Sequence, residues 1–472
     1  MKSRTDFQLA AHGQLTRRRM LAGTGAAAGA VLFAACAQGG MAPAAGDAPA
    51  SEEMEKAEEM APAEMQPTNF WAIDMGGSNW VQGIGEQIVA EYHEANPNES
   101  VNVIVTTYGD TINKLPTVVA GGIPPDISYI DAYLPKDFGV RGIAADITNY
   151  VKASTVIDAD DYYPRVVFDS TYRGHWFGLP WAPTVFTYFY NKDVFVEVGL
   201  DPDSGPSNWD ELDAAIQQTL KKEGDNIERL GFWYGNSSLV WWLVPFWQQG
   251  GRLLSDDELE STIDNELMET AFNLTLRFFD LQGGLDAMNE FRGDERHQHL
   301  FSTGRCAMWT DVMNITRFEA YEEAFAKITV GVDTYPVAEG GSPAAYRGGG
   351  AHLMPEGSNN PDGAFKFLEW LFLEPNDRRF NDVRDSLPAR RSVAQSEEFT
   401  QGDPLRIQGA REMDGAQWVV SAPGGRRIIG IHVRMASSIW NREKTVPEAL
   451  ADGNAQVQQA LDEALENSVV DF

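Results

Sequence analysis

The stretch from Ile84 to Asp131 limits the architecture more than any other part of the chain. Ile84, Ile88, Val89 and Tyr92 recur at helical spacing, so one face of a helix is aimed at a core. Pro97 biases Asn96 away from the helical region and ends that helix. Val101, Val103 and Val105 alternate with Asn102, Ile104 and Thr106, as in a strand. Asp110 is a good N-cap for a second helix and Gly121-Gly122 closes it, while Pro116 inside it should kink or shorten it. Ile127 to Ile130 is a short apolar strand that runs into Asp131. Helix, strand, helix, strand in this order implies parallel strands with right-handed crossovers. Ligands of such sheets bind outside the carboxyl ends of the strands, which is where Asp131 and Tyr133 sit.

The same stretch resembles the family 1 extracellular solute-binding proteins. The likeness rests on a helix ending in Asn-Pro, then V-x-V, then K-L…A-G-x-P-P-D-I followed by an aromatic residue and an Asp. Further segments extend it, in the family's order, from Phe70 to the C-terminus. Pro180-Trp181-Ala182-Pro183-Thr184 leads into an alternating strand ending in Tyr190-Asn191-Lys192, with Phe186, Tyr188 and Tyr190 on one face. Pro206-Ser207-Asn208-Trp209 opens a helix that Ser207 or Asn208 can cap. Phe301-Ser302-Thr303-Gly304-Arg305-Cys306-Ala307-Met308, Arg347-Gly348-Gly349-Gly350-Ala351 and Ser386-Leu387-Pro388-Ala389-Arg390 complete the set.

The resemblance implies an α/β fold of the periplasmic-binding-protein-like type II: two α/β lobes joined by hinge strands, with a ligand cleft between them. Lobe 1 would comprise 68–183 and 351–400, and lobe 2 184–350 and 401–472. It implies a monomeric receptor of an ABC importer that hands a sugar or oligosaccharide to permease subunits, with no cofactor and no catalysis. In relatives the residues after the strand that follows Gly304 reach the cleft, here Trp309, Asp311 and Asn314, and an aromatic near the end of the first strand faces the ligand, here Trp71.

Thirteen Trp residues are generous for the length, and an indole with one wet side is a common binding tool. Trp71, Trp181, Trp241 or Trp242, and Trp309 are the candidate stacking walls. Trp241 and Trp242 point about 100° apart on one helix, so one should face the cleft and the other the core. Asp131 and Asp311 are candidate acceptors for sugar hydroxyls. Gly350 would let backbone approach the ligand closely. Arg347 would be the natural partner of a phosphorylated polyol, the alternative solute.

The N-terminus reads as leader, not fold. Thr16-Arg17-Arg18-Arg19-Met20-Leu21 is a twin-arginine export signal, followed by a Gly/Ala-rich run too short and small-sided for a stable membrane span. It ends in Leu32-Phe33-Ala34-Ala35-Cys36, which resembles a bacterial lipoprotein cleavage box and makes Cys36 the candidate lipid anchor of a protein held outside the cytoplasm. Residues 1–35 are thus read as signal peptide, and 36–67, rich in Ala, Pro, Met and Glu, as a disordered tether. With Cys36 as an anchor, Cys306 has no disulfide partner and reads as core.

The formal charge of −32 makes nucleic acid an improbable partner. No G-x-S-x-G, H-E-x-x-H, P-loop or calcium loop occurs, and His297-x-His299 is the one close histidine pair, a weak signal for metal. A secreted carbohydrate-active enzyme is the competing class, since it too would use an indole-rich cleft and paired carboxylates.

Overall fold

The computed structural model describes residues 66–73, 83–234, 239–317 and 321–469. The leader, Cys36 and the proposed tether up to residue 65 lie outside them. Twelve strands are described: β1 (Thr68–Ile73), β2 (Val101–Thr106), β3 (Ile127–Asp131), β4 (Thr171–Tyr172), β5 (His175–Trp176), β6 (Leu179–Asn191), β7 (Lys221–Glu223), β8 (Asn226–Tyr234), β9 (Cys306–Val312), β10 (Val330–Asp333), β11 (Ala345–Leu353) and β12 (Ala416–Gln417). The main path runs β2-β1-β3-β11-β6-β9-β8-β7, with β10 on β6 and β12 on β11, while β4 and β5 form a separate hairpin.

The opening stretch folds as its pattern predicts. Helix Ile84–Ala95 buries Ile88 and Tyr92 and ends at Asn96, and β1 pairs in parallel with both β2 and β3. Tyr92 packs against Phe367 and Trp370 of helix Pro361–Leu371 at 5.0 and 5.8 Å between ring centroids. Two details differ. Helix Tyr108–Ala120 is capped by Thr107, whose Oγ1 accepts from the Asp110 N–H at 3.2 Å, and it runs through Pro116 without ending there. Asp126, the acid of the Pro-Pro-Asp motif, is buried and accepts from the Asn69 N–H (2.8 Å), the Ser358 hydroxyl (2.7 Å) and the Asn360 N–H (3.0 Å). Three charge-assisted bonds of this kind staple β1 to the segment before helix Pro361–Leu371, so the motif is structural.

β6 ties two half-sheets together. Its first half, Leu179 to Val185, pairs with β11, and its second half, Phe186 to Asn191, pairs with β9 and β10. β11 in turn pairs with β3 through Gly350 to Leu353. One half-sheet is therefore β2-β1-β3-β11-β6 and the other β6-β9-β8-β7 with β10, and the backbone passes between them along β6 and β11. Both strands are irregular at one level: the pairing slips between Gly348 and Gly350, where Gly349 has φ 132° and Ala182 opposite has φ 45°. Alanine is seldom left-handed, so this is a strained kink built into the crossing.

The second half-sheet carries the aromatic core. Trp309 stacks on Phe189 at 5.6 Å and on Phe325 at 6.1 Å. Helix Val240–Gln248 is buried at all nine of its positions and packs on helix Glu266–Gln282, and Cys306 is buried in β9.

Candidate functional site

A row of stacked rings joins the two half-sheets. Tyr133, just past the end of β3, stacks on Trp418 with centroids 6.1 Å apart and planes 14° apart. Trp418 stacks on Tyr346 of β11 (6.0 Å, 27°), and Tyr346 on Trp247 of helix Val240–Gln248 (6.3 Å, 20°). Phe186 of β6 meets Tyr346 edge-on at 5.0 Å. Trp418 is placed by β12, which pairs in parallel with β11, Tyr346 opposite Gln417. Gly348 makes room for it, since a Cβ there would lie 2.9 Å from the indole ring. Trp418 and Phe186 keep part of their surface exposed, and the Trp418 Nε1–H has no hydrogen-bond partner among the described residues. Trp418 and Phe186 thus offer partly exposed ring faces at the crossing, while Tyr133, Tyr346 and Trp247 are buried.

Charged groups flank it. Asp131 ends β3 opposite Gly350 and keeps some exposed surface, yet it is crowded enough that burial pushes its carboxyl up to about 8. Arg347 lies with its guanidinium carbon 6.0 Å from the Trp418 ring centre, and it forms an ion pair with Asp169; both side chains are wholly buried. Burial, then the neighbouring Arg165, pulls the Arg347 pKa down to about 9.

The sequence candidates separate into two groups. Asp131 and Tyr133 lie at the row, as does Arg347, while Trp71 is half-buried in β1. The others are packed. Trp181 is 1% exposed among His352, Phe372 and Phe380, because its side of β6 faces the first core. Trp309 is fully buried beside Phe189, Phe301 and Phe325. Neither Trp241 nor Trp242 opens to a cleft: Trp242 stacks on Phe272 at 5.1 Å, and Trp241 is enclosed by Trp233, Tyr234, Phe279 and Trp440. A helix apolar on every side buries all its faces, and its contribution to the row is Trp247. Asp311 is 2% exposed and accepts from Gln298 Nε2 at 3.1 Å, with its carboxyl pushed up to about 7 by burial. Asn314 is buried and donates to the Arg384 carbonyl at 3.4 Å. A Cβ on Gly350 would lie 2.1 Å from the Tyr129 ring, so the absent side chain there admits a tyrosine.

Among the described residues no group of three His, Cys, Asp or Glu is placed to hold a metal ion. His297 instead stacks on Trp233 at 5.4 Å, and burial holds its pKa down to about 4. A cavity of about 530 Å³ opens along helix Glu266–Gln282 between Asn273, Arg277, Asp280 and Arg442. It shares no residue with the ring row, and its charged lining is already paired, Arg277 with Asp213 and Arg442 with Asp280. We place no solute there.

Residues 77–377 match the bacterial extracellular solute-binding protein family. The chain belongs to this family. Its fold is that of the solved sugar receptors. The cyclic alpha-maltosyl-1,6-maltose binding protein of Arthrobacter globiformis superimposes with a TM-score of 0.71 at 20% identity, over 84% of this chain and 100% of its own. A sugar-binding protein of Xanthomonas citri gives 0.72 at 20% identity, over 84% and 98%. By sequence, the sn-glycerol-3-phosphate-binding periplasmic protein of Rhizobium meliloti is 23% identical over 84% of this chain and 91% of its own. The fold is therefore that of a type II solute-binding protein, and β6 and β11 join its two half-sheets. No described helix is long and apolar enough to cross a membrane.

Proposed function

We propose that this solute-binding protein is the extracytoplasmic receptor of an ABC importer and that it captures a sugar or oligosaccharide between its lobes for delivery to the permease. The observation that carries this reading is the ring row from Tyr133 through Trp418 and Tyr346 to Trp247. Indole and phenol faces cover the C–H faces of a sugar, and Asp131 supplies a hydroxyl acceptor. A solute touching both proposed lobes binds the closed arrangement better than the open one, so it shifts the population toward closure, which a transporter can read. The proposed lobes, 68–183 with 351–400 and 184–350 with 401–472, are supported by the change of partner at Val185 and Phe186 of β6.

Polyol phosphates such as glycerol 3-phosphate, the solute in the name of a sequence relative, are the second reading. Arg347 would be the natural partner of such a solute, but it is already paired with Asp169. A thermal-shift screen over mono- and oligosaccharides and glycerol 3-phosphate decides between them, because a ligand of the folded state stabilises it by mass action. A sugar that raises the melting temperature and is recovered unchanged supports a receptor. Cleavage of that sugar supports the enzyme class, and a shift only with the phosphate supports the second reading.

The export route and anchor belong to the same proposal. The twin-arginine signal and the box before Cys36 support a protein lipid-anchored on the outer face of the cell membrane. Cys36→Ser should move the protein from the membrane to the soluble fraction, and an unchanged distribution rules the anchor out.

A further inference from the structure

Where lobe 2 meets lobe 1 next to the ring row, four cations are gathered and only three have a carboxylate to themselves. Arg347 pairs with Asp169, Arg252 with Asp256, and Lys136 with Glu258. The fourth is Arg165, in helix Pro164–Ser170. Its guanidinium carbon lies 4.2 Å from the centre of the Phe168 ring, and Lys136 Nζ lies 3.3 Å from the same centre. Glu258 is the carboxylate near both cations, and it is bonded to Lys136. Among the described residues, Arg165 Nε is buried with no hydrogen-bond partner, while the residue as a whole keeps some exposed surface.

Arg165 is also tied to the ring row. Its carbonyl accepts from Arg347 Nη2 at 3.5 Å, and the Arg347 guanidinium lies over Trp418. A desolvated guanidinium with an empty Nε edge is costly to leave unpaired. Phe168 offsets part of that cost through its ring face. What is missing is one negative charge with two coplanar oxygens, which is the geometry a guanidinium pairs side-on. The local excess is a single positive charge, so a monoanion matches it better than a phosphate dianion.

We propose that the solute carries a carboxylate, as in a uronic or aldonic sugar acid, and that this carboxylate pairs side-on with Arg165 while the rest of the sugar lies along the ring row. This rests on the sugar-receptor reading above and narrows it to acidic saccharides. Arg165 would be the residue that sets the preference for acid over neutral sugar.

The test titrates the purified chain with neutral disaccharides, with the same disaccharides carrying one uronic acid unit, and with glycerol 3-phosphate, following intrinsic tryptophan fluorescence and melting temperature. The acidic disaccharide should bind about tenfold or more tighter than its neutral counterpart, the range expected of a charge-assisted pair. In Arg165→Gln that ratio should fall to about one, and in Arg165→Lys it should be intermediate, because lysine keeps the charge but not the fork. The apo melting temperature of each variant reports whether folding is intact. Equal binding of acidic and neutral sugars by the native chain overturns the inference and leaves the sugar-receptor reading standing. So does an acid preference that survives in Arg165→Gln. Binding of glycerol 3-phosphate with no response to either disaccharide overturns both readings.

Discussion

Lys136 and Glu258 form an ion pair across the two proposed lobes, with the lysine ammonium wholly buried and the glutamate on a left-handed residue (φ 60°) of the loop that follows helix Val240–Gln248. The loop is held from its own side by Gln458, which bonds the Ser261 N–H at 2.8 Å and the Leu259 carbonyl at 2.9 Å. The pair would therefore act on the seam between the proposed lobes.

Breaking a buried pair by removing one partner costs roughly 3–5 kcal/mol, because a charge is left buried without its counterion. In Glu258→Gln the chain can avoid this cost by letting Lys136 reach water, which means opening. The ligand-free variant should show a larger radius of gyration by small-angle scattering than the native chain. An unchanged radius with a much lower melting temperature would mean that the pair holds the fold and not the closure.

Trp418 and Trp309 should respond in opposite ways to truncation. Trp309 is fully enclosed, and Trp309→Ala should cost roughly 3–5 kcal/mol of apo stability. Trp418 is partly exposed in the ring row, and Trp418→Ala should weaken sugar binding by a factor on the order of 10 to 100, taking the stacking scale of about 1–3 kcal/mol per ring. Apo melting and ligand-induced shift, measured for both variants, separate the two roles. A Trp418→Ala protein with native affinity would remove the row from the site.

Stability should fall as pH rises from 6.5 to 8. Burial pushes Asp131 and Glu412 up to about 8 and Asp311 and Asp377 up to about 7. In the unfolded chain these groups ionise near pH 4, so between the two values the folded state holds more protons, and stability declines with pH by about 1.4 kcal/mol per unit for each group still protonated. The buried His297, His352 and His432, held down to about 4, 3 and 4, act with the opposite sign, but only below about pH 6.5. Lys136, held down to about 8, also acts with the opposite sign, and only above that value. Melting temperature across the window checks the slope, and Asp131→Asn should flatten it in part.

Gly349 stands where the crossing strands are kinked. At φ 132° a side chain is strained, and a Cβ would lie 2.7 Å from the Pro183 Cα. Gly349→Ala should cost on the order of 1–3 kcal/mol, and because the strain sits where the half-sheets join it should also change solute affinity. Full native stability in the variant would show that the kink relaxes freely.

Cys306 should be inert. Its buried thiol donates to the Met308 carbonyl at 3.2 Å, and burial pushes its pKa up to about 12, so thiolate is scarce at neutral pH. Native protein should resist thiol reagents that label it once unfolded, and Cys306→Ala should cost roughly 1 kcal/mol without changing affinity.

Local patterns were legible in the sequence where a residue's neighbours along the chain decide its state. The Ile88 and Tyr92 stripe, the end at Asn96 and the Val101 strand needed no tertiary information, and Asn208 caps its helix as its chemistry suggests, accepting from the Glu211 N–H at 2.9 Å. The site was less legible because its members are brought together by pairing between distant segments. Trp418 has no motif around it and reaches Tyr133 only because β12 pairs with β11. Trp241 and Trp242 are both buried for a reason the sequence contains: their helix has no polar face, and such a helix does not turn one side to solvent. Arg165 gave no signal either, since its lack of a partner depends on where Glu258 and Asp169 go.

β11 lies between β3 and β6 in the first half-sheet, although more than 150 residues of chain separate β6 from it. During synthesis β3 and the first half of β6 are made long before the strand that joins them. Until residue 353 has been added, the nascent chain carries two unpaired strand edges, that of Ile127–Asp131 and that of the first half of β6. A product truncated ahead of Ala345 would keep both edges permanently, a form that invites self-association. The order in which the segments are made therefore sets when the chain becomes safe from aggregation, and that moment comes only after roughly three-quarters of it exists.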